Sequence, residues 1–301
     1  MALAEILGQP LAAAILEKSL ARGQMAHAYL FYGDEGVGKE TAVRILAAES
    51  ELRVVEGSPT IKIEQIRMIK QQSSFAQTGP LVWLIRDADN MTVQAANAFL
   101  KILEEPNPGV RFFLTTTSLH RMLPTIVSRC QVVPFRAVPE ETIRRFLAAK
   151  YGQDPDSPKV RLLARMARGS IGRALQYWDG PALERRQKVL DTLVRIPDAS
   201  YPEILGLSLQ WDEERTQVQE DLQLMLGWYR DLAAVKTLGT ADLYNPDYAD
   251  ELSKLSKRYS YQALFQIMRE ISEMQAAVAG NVRPRFVLNR LFLSMKKGAH
   301  S

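Results

Sequence analysis

The run Gly33-Asp34-Glu35-Gly36-Val37-Gly38-Lys39 fits G-x-x-x-x-G-K. Glycines in that pattern let successive backbone N–H groups curl around an anion, and the closing lysine reaches the outer phosphates of a nucleotide. Phosphate binding becomes phosphoryl transfer when two more groups are added: a hydroxyl at the next position to hold Mg²⁺, and a group that orients the attacking water. Here the next residue is Glu40, with Thr41 one place too late. A carboxylate beside a triphosphate adds repulsion and lacks the hydroxyl's short reach, so tight binding of ATP with Mg²⁺ is not expected. Asp87, at the end of the apolar run Leu81-Val82-Trp83-Leu84-Ile85, is the candidate second carboxylate, and Ala88 follows it where a hydrolysing site carries a glutamate. Asp89 reads as a loop or helix-cap residue more readily than as a displaced base. The nucleotide-binding set is thus Gly33, Gly36, Val37, Gly38, Lys39, Glu40 and Thr41, with Asp87.

The loop needs a strand before it and a helix after it. Ala28-Tyr29-Leu30-Phe31-Tyr32 is a short apolar run that stops at Gly33, as a buried parallel strand does, and Lys39 to Ala48 has helical spacing. An amphipathic helix is expected earlier, from Leu3 to Arg22, with Leu7, Leu11, Ile15 and Leu20 as its apolar positions. Helices over Ile61–Gln72 and Thr92–Glu104 alternate with strands over Leu81–Ile85 and Arg111–Thr116, and the strand around Val132–Phe135 closes this part near Arg136. Three short helices follow, started by Pro139, Ser157-Pro158 and Ser170. Gly180-Pro181 reads as a hinge, and long amphipathic segments, including Gln217–Leu238 and Tyr261–Ala279, fill the last third. The expected division is 1–136 for an α/β nucleotide-binding region, 137–180 for a small helical one, and 181–301 for an all-helical one. In the last, periodicity leaves open whether Leu222, Met225 and Leu226 are core or interface.

Composition narrows the classes. The 301 residues are 47% hydrophobic and 24% charged, with no apolar stretch that could cross a bilayer. No basic segment precedes an apolar one at the start, so the expected location is the cytoplasm, with no membrane partner. One cysteine, Cys130, excludes an intrachain disulfide and a multi-cysteine zinc site, and His27, His120 and His300 are scattered; no metal site is expected. The net charge of +4 permits nucleic-acid contact without arguing for it. The basic cluster Arg283, Arg285, Arg290, Lys296 and Lys297 reads as a solvated helix face before it reads as a DNA contact.

Four stretches carry a family resemblance: Ala26-His27-Ala28-Tyr29-Leu30-Phe31, the segment Ala95-Ala96-Asn97-Ala98-Phe99-Leu100-Lys101-Ile102-Leu103-Glu104-Glu105-Pro106, the segment Leu123-Pro124-Thr125-Ile126-Val127-Ser128-Arg129-Cys130-Gln131, and Asn281-Val282-Arg283-Pro284-Arg285. Together, and over nearly the whole chain, they resemble the delta-prime subunits of bacterial DNA polymerase III clamp loaders, within the AAA+ family. The resemblance implies an α/β AAA+ P-loop domain with a parallel sheet, a three-helix lid and an all-α collar. It implies that Arg129 acts in trans as a finger on a neighbouring subunit's ATP, where by itself an arginine there would more often be solvated or salt-bridged. It also implies that Thr116 or Thr117 is the first nucleotide sensor, that Arg173 in Gly169-Ser170-Ile171-Gly172-Arg173 is the second, and that Gln9 lies near the adenine; a plain helix-cap role for Gln9 stands beside that. The implied partners are the gamma/tau motor and delta subunits of a pentamer, with the sliding clamp and primer-template DNA reached through the assembly. The four-cysteine zinc module common in that family between the phosphate-loop helix and the segment matching Ile61–Arg67 is missing, the chain passing straight from Glu51 to Leu52, so no zinc is expected. ATP at the loop stays open, little or no hydrolysis is expected, and an active AAA+ ATPase, resting on Lys39, is the alternative.

Overall fold

The computed structural model describes residues 6–57, 59–74, 79–209, 211, 215–239, 243–279 and 284–300. Residues 3–5 of the expected first helix, and 281–283 of the resemblance and the basic cluster, lie outside them. The chain divides into two compact units, 1–179 and 180–301.

In the first unit α1 (Pro10–Ala21) precedes β1 (Ala28–Tyr32), α2 (Lys39–Leu46), β2 (Glu51–Val55), α3 (Ile63–Ser74), β3 (Leu81–Ile85), α4 (Val93–Glu104), β4 (Val110–Thr116), α5 (Pro124–Val127) and β5 (Gln131–Pro134). All pairings are parallel, in the order β2-β3-β4-β1-β5. Parallel strands buried on both faces need continuous apolar sequence, which β1, β3 and β4 have. Alternate residues then serve opposite faces. Leu30, Trp83, Ile85, Phe112 and Leu114 pack with Ile66, Ile69, Phe99 and Leu103 of α3 and α4. Tyr29, Phe31, Val82, Leu84 and Phe113 pack with Leu16 and Val43 of α1 and α2. On that second face Tyr29 and Phe113 stack at 5.2 Å between ring centroids.

Two elements differ from the sequence expectation. The first helix starts at Pro10, not at Leu3: Pro10 stands in its first turn, and Gly8 before it has a left-handed backbone with φ of 69°. Its buried positions are Ala12 and Leu16, whereas Leu11 and Leu20 are exposed. The second difference is β2, an edge strand that has only Val55 buried; Glu51 and Arg53 break the apolar signal that would mark it.

Three helices complete this unit: α6 (Glu140–Tyr151), α7 (Pro158–Met166) and α8 (Ile171–Asp179). Ser157 Oγ accepts from the Val160 N–H and Ser170 Oγ from the Arg173 N–H, so hydroxyls cap α7 and α8. The second unit is helical throughout its described residues: α9 (Ala182–Arg195), α10 (Tyr201–Leu209), α11 (Arg215–Leu238), α12 (Ala249–Ser256), α13 (Tyr261–Ala279) and α14 (Pro284–Gly298). Its core holds Trp211, Trp228, Tyr229 and Phe292. Leu222 and Met225 are fully buried in that core and Leu226 packs partly against it, so these three serve intramolecular packing.

Candidate functional site

The glycine loop joins the carboxyl end of β1 to the first turn of α2, the end of a parallel sheet where ligands bind. Gly36 and Gly38 take φ of 73° and 104°, which side chains with a Cβ rarely adopt and which suit a loop whose successive N–H groups face an anion. A Cβ on Gly33 would meet the Phe135 carbonyl oxygen at 2.2 Å. Lys39 is buried; its ammonium donates to the Gly33 carbonyl and, at 2.7 Å, to that of Asp34. Burial lowers its pKa, against the opposing pull of Asp87. Gln9 braces the loop from outside: its amide nitrogen donates to the carbonyls of Val37 (3.1 Å) and Arg136 (2.6 Å), and its oxygen accepts from the Arg136 N–H (2.9 Å). Its side chain makes no helix-cap hydrogen bond.

At the eighth position the Glu40 carboxylate is already engaged. Arg44 and Arg86 each reach its Oε1 at 2.6 Å, and the other arm of Arg86 reaches Glu56 at 2.6 Å. Burial alone would raise the Glu40 carboxyl; the hydrogen bonds from Arg86 and Arg44 outweigh it and hold the group below the ordinary range. The Asp87 carboxyl shifts the opposite way from Glu40. Burial, then the neighbouring Asp89, raises its pKa. Its backbone is left-handed, with φ of 46°, and its N–H donates to Thr115 Oγ1 at 3.1 Å. Asp89 is tied down: it accepts from Thr116 Oγ1 at 2.8 Å and pairs with Arg121 at 3.2 Å. Nothing in that arrangement frees Asp89 to orient water.

Over the loop lies the start of α8, where the Gly172 N–H donates to the Gly36 carbonyl at 3.0 Å. A Cβ on Gly172 would meet Gly36 Cα at 3.0 Å, so both glycines are needed for the approach. Between loop, strand ends and helices is a cavity of about 610 Å³, a size that suits a nucleotide. Its walls include Gly36, Val37, Gly38, Lys39, Glu40, Thr41, Asp87 and Thr117 of the expected set. Gly33, Thr116 and Arg173 do not line it: Gly33 packs on Phe135, Thr116 is fully buried against Asp89, and Arg173 stands one residue beyond Gly172. Sequence reasoning missed Arg86, Glu56 and Thr115, and the apolar wall of Phe146, Ile171 and Leu175. Arg86 had a signal, being the first residue after the apolar run of β3; Glu56 had none once β2 was overlooked.

Arg129 is placed apart from this cavity, at the carboxyl end of α5, half-exposed. Its guanidinium donates to Glu104 at 2.7 Å and to the Thr125 carbonyl at 3.1 Å. The next residue behaves differently: burial pushes the Cys130 thiol up to about 12. The thiol is therefore protonated below about pH 9, and alkylation in the folded chain is expected to be far slower than in urea. Equal rates with and without urea would refute that. Among the described residues no group of three or more His, Cys, Asp or Glu is placed to hold a metal ion, and no helix is long and apolar enough to cross a membrane.

Two family models match the chain: "DNA polymerase III, delta subunit" over residues 48–139, and "DNA polymerase III, delta subunit, C terminal" over residues 181–291. It is also similar to DNA polymerase III subunit delta' of Bacillus subtilis, 26% identical over 96% of this chain and 97% of that one. Both models name a DNA polymerase III subunit, and between them they span about two thirds of the chain. This likeness to DNA polymerase III subunits supports a role in DNA replication. A further relative is DNA polymerase III subunit gamma of Buchnera aphidicola, 28% identical over 71% of this chain and 69% of that one. Among solved structures, a gamma-subunit-related protein of Thermotoga maritima aligns with a TM-score of 0.51 at 18% identity, covering 95% of this chain and 99% of that one. The RuvB branch migration motor of the same organism aligns at 0.51 and 17%, covering 83% and 89%. These likenesses concern the fold, which is AAA+: a P-loop sheet, three short helices and a helical carboxyl-terminal region.

Proposed function

We propose that this chain is a delta-prime-like clamp-loader subunit that packs beside an ATP-bound motor subunit, offers Arg129 to that neighbour's ATP, and turns over little or no ATP itself. The observation that carries the reading is Glu40, a carboxylate gripped by Arg44 and Arg86 where a hydrolysing loop needs a hydroxyl on Mg²⁺. Ala88 after Asp87 and the tethered Asp89 leave no base in register, which agrees with it. For the contribution in trans, support comes from the position of Arg129: it is half-exposed, outside its own loop's cavity, and held by surface partners it can exchange for a phosphate. On this reading residues 1–136 form the nucleotide-binding-like part, 137–180 the lid and 181–301 the collar. The partners are gamma/tau and delta subunits in a pentamer, and the sliding clamp and primed DNA are reached through it. Thr117 is the better placed of the two sensor threonines, since it lines the cavity.

The purified chain, mixed with motor and delta subunits, is expected to co-elute with them in one assembly, and alone to show no ATP turnover above background. Failure to assemble would refute the proposal. The second reading, an active ATPase, is favoured only by Lys39 closing a well-formed loop; turnover by the isolated chain that vanishes in Lys39→Ala would establish it.

A further inference from the structure

A P-loop of this fold ordinarily uses a divalent ion as a tie: the hydroxyl of the eighth residue and a carboxylate at the end of a neighbouring strand hold it from two sides. In this chain Glu40 takes the hydroxyl's place, and Arg86, one residue before the strand-end carboxylate Asp87, reaches across to it. Arg86 is the first residue past β3, still in the sheet ladder, with its N–H donating to the Val55 carbonyl at 2.9 Å. Its side chain spans from Glu40 Oε1 to Glu56 Oε2, at 2.6 Å each. One guanidinium therefore joins the first turn of α2, the end of β3 and the residue after β2.

Asp87 lines the same cavity, but with the Glu40 side held by guanidiniums the donor set does not fit Mg²⁺. A divalent ion on the Glu40 carboxylate would stand beside a guanidinium that shares that carboxylate, and Arg44 reaches the same oxygen through Nε (3.0 Å) and Nη2 (2.6 Å). The remaining Arg86 donor, Nε, is buried without a hydrogen-bond partner. A spare N–H donor calls for an anionic oxygen and has nothing to offer a metal. We infer that Arg86 replaces the divalent cation at this loop: a fixed guanidinium ties α2 to the strand ends, and the loop admits no Mg²⁺ with or without a nucleotide. The exchange is permanent, since an arginine stays charged across the physiological pH range and cannot dissociate.

The test uses Mn²⁺ as the spectroscopic probe for Mg²⁺ and ADP as the phosphate ligand, on the full chain. In electron paramagnetic resonance titrations the wild-type protein is expected to sequester no Mn²⁺ at the loop, with or without ADP. The double substitution Glu40→Thr with Arg86→Asp supplies the hydroxyl and puts a carboxylate beside Asp87 in place of the guanidinium, and is expected to bind Mn²⁺ with ADP at least about tenfold more tightly than wild type. A wild-type Mn²⁺ signal that is lost in Lys39→Ala overturns the inference. So does a folded double variant, by circular dichroism, that gains no Mn²⁺. Should the double variant not fold, the wild-type titration alone decides. The inference is independent of what Arg129 does: Mn²⁺ at the wild-type loop would sink it and leave the contribution in trans to be judged on the neighbour's turnover.

Discussion

Replacing Arg129 with alanine is expected to cut the ATP turnover of an assembly rebuilt with this chain by about 10³ to 10⁵, the usual cost of removing an arginine that meets transition-state charge. The physical reason is geometric and electrostatic together. As the γ-phosphoryl group loosens, negative charge spreads over its outer oxygens, and a planar fork of N–H donors held in place meets that charge without reorganising. Arg129 now spends its fork on the half-exposed Glu104 carboxylate and the Thr125 carbonyl. An exposed pair of that kind is worth only about 0.2 to 1 kcal/mol, so a phosphate can displace it. For the same reason the variant is expected to melt close to wild type. Arg129→Lys, which keeps the charge without the fork, should recover only part of the rate. Turnover within tenfold of wild type in a complete assembly containing Arg129→Ala would end the proposal, provided that the motor subunits are saturated with ATP.

The largest expected effect on stability lies far from that chemistry. Asp221, on α11, is fully buried and accepts from Arg185 Nε at 2.8 Å, from Arg185 Nη2 and from the Trp211 indole N–H. Asp221→Ala would leave a largely buried guanidinium and a buried indole N–H without this acceptor, at a cost of about 3 to 5 kcal/mol to the helical unit. Asp221→Asn keeps an acceptor for the indole and should cost less. Urea unfolding of the full chain checks both. With a slope of about 1 to 3 kcal/mol per molar, the midpoint reported by Trp211 and Trp228 should fall by more than about 1 M. A shift of under about 1 kcal/mol would mean that the ion pair contributes little beyond what its removal exposes.

The phosphate loop was legible because its signal is local. A turn that presents N–H groups to an anion needs glycines at fixed spacing, and Gly36 and Gly38 do take left-handed backbone there. The three central strands were legible for a related reason, since burial on both faces demands unbroken apolar sequence. The edge strand β2 lacks that demand: with only Val55 buried, Glu51 and Arg53 are tolerated and the pattern disappears. The start of α1 was misplaced because apolar spacing ran on through Pro10, whose first-turn preference and the left-handed Gly8 before it set the true boundary.

Sequence alone determined that Glu40 follows the loop lysine where the motif has a hydroxyl residue, that Ala88 follows Asp87, and that a P-loop sheet is followed by helices. Covalent order suffices for each of these, because each depends on residue type at a fixed offset. What holds Glu40 was decided only by tertiary structure. Arg86 is 46 residues away along the chain and Glu56 lies between them, 30 residues before Arg86, and only the parallel pairing of β2 with β3 brings their ends to the first turn of α2. The same is true of Thr117 against Thr116. Adjacent residues at a strand end point to opposite sides, so one reaches the cavity and the other is fully buried against Asp89.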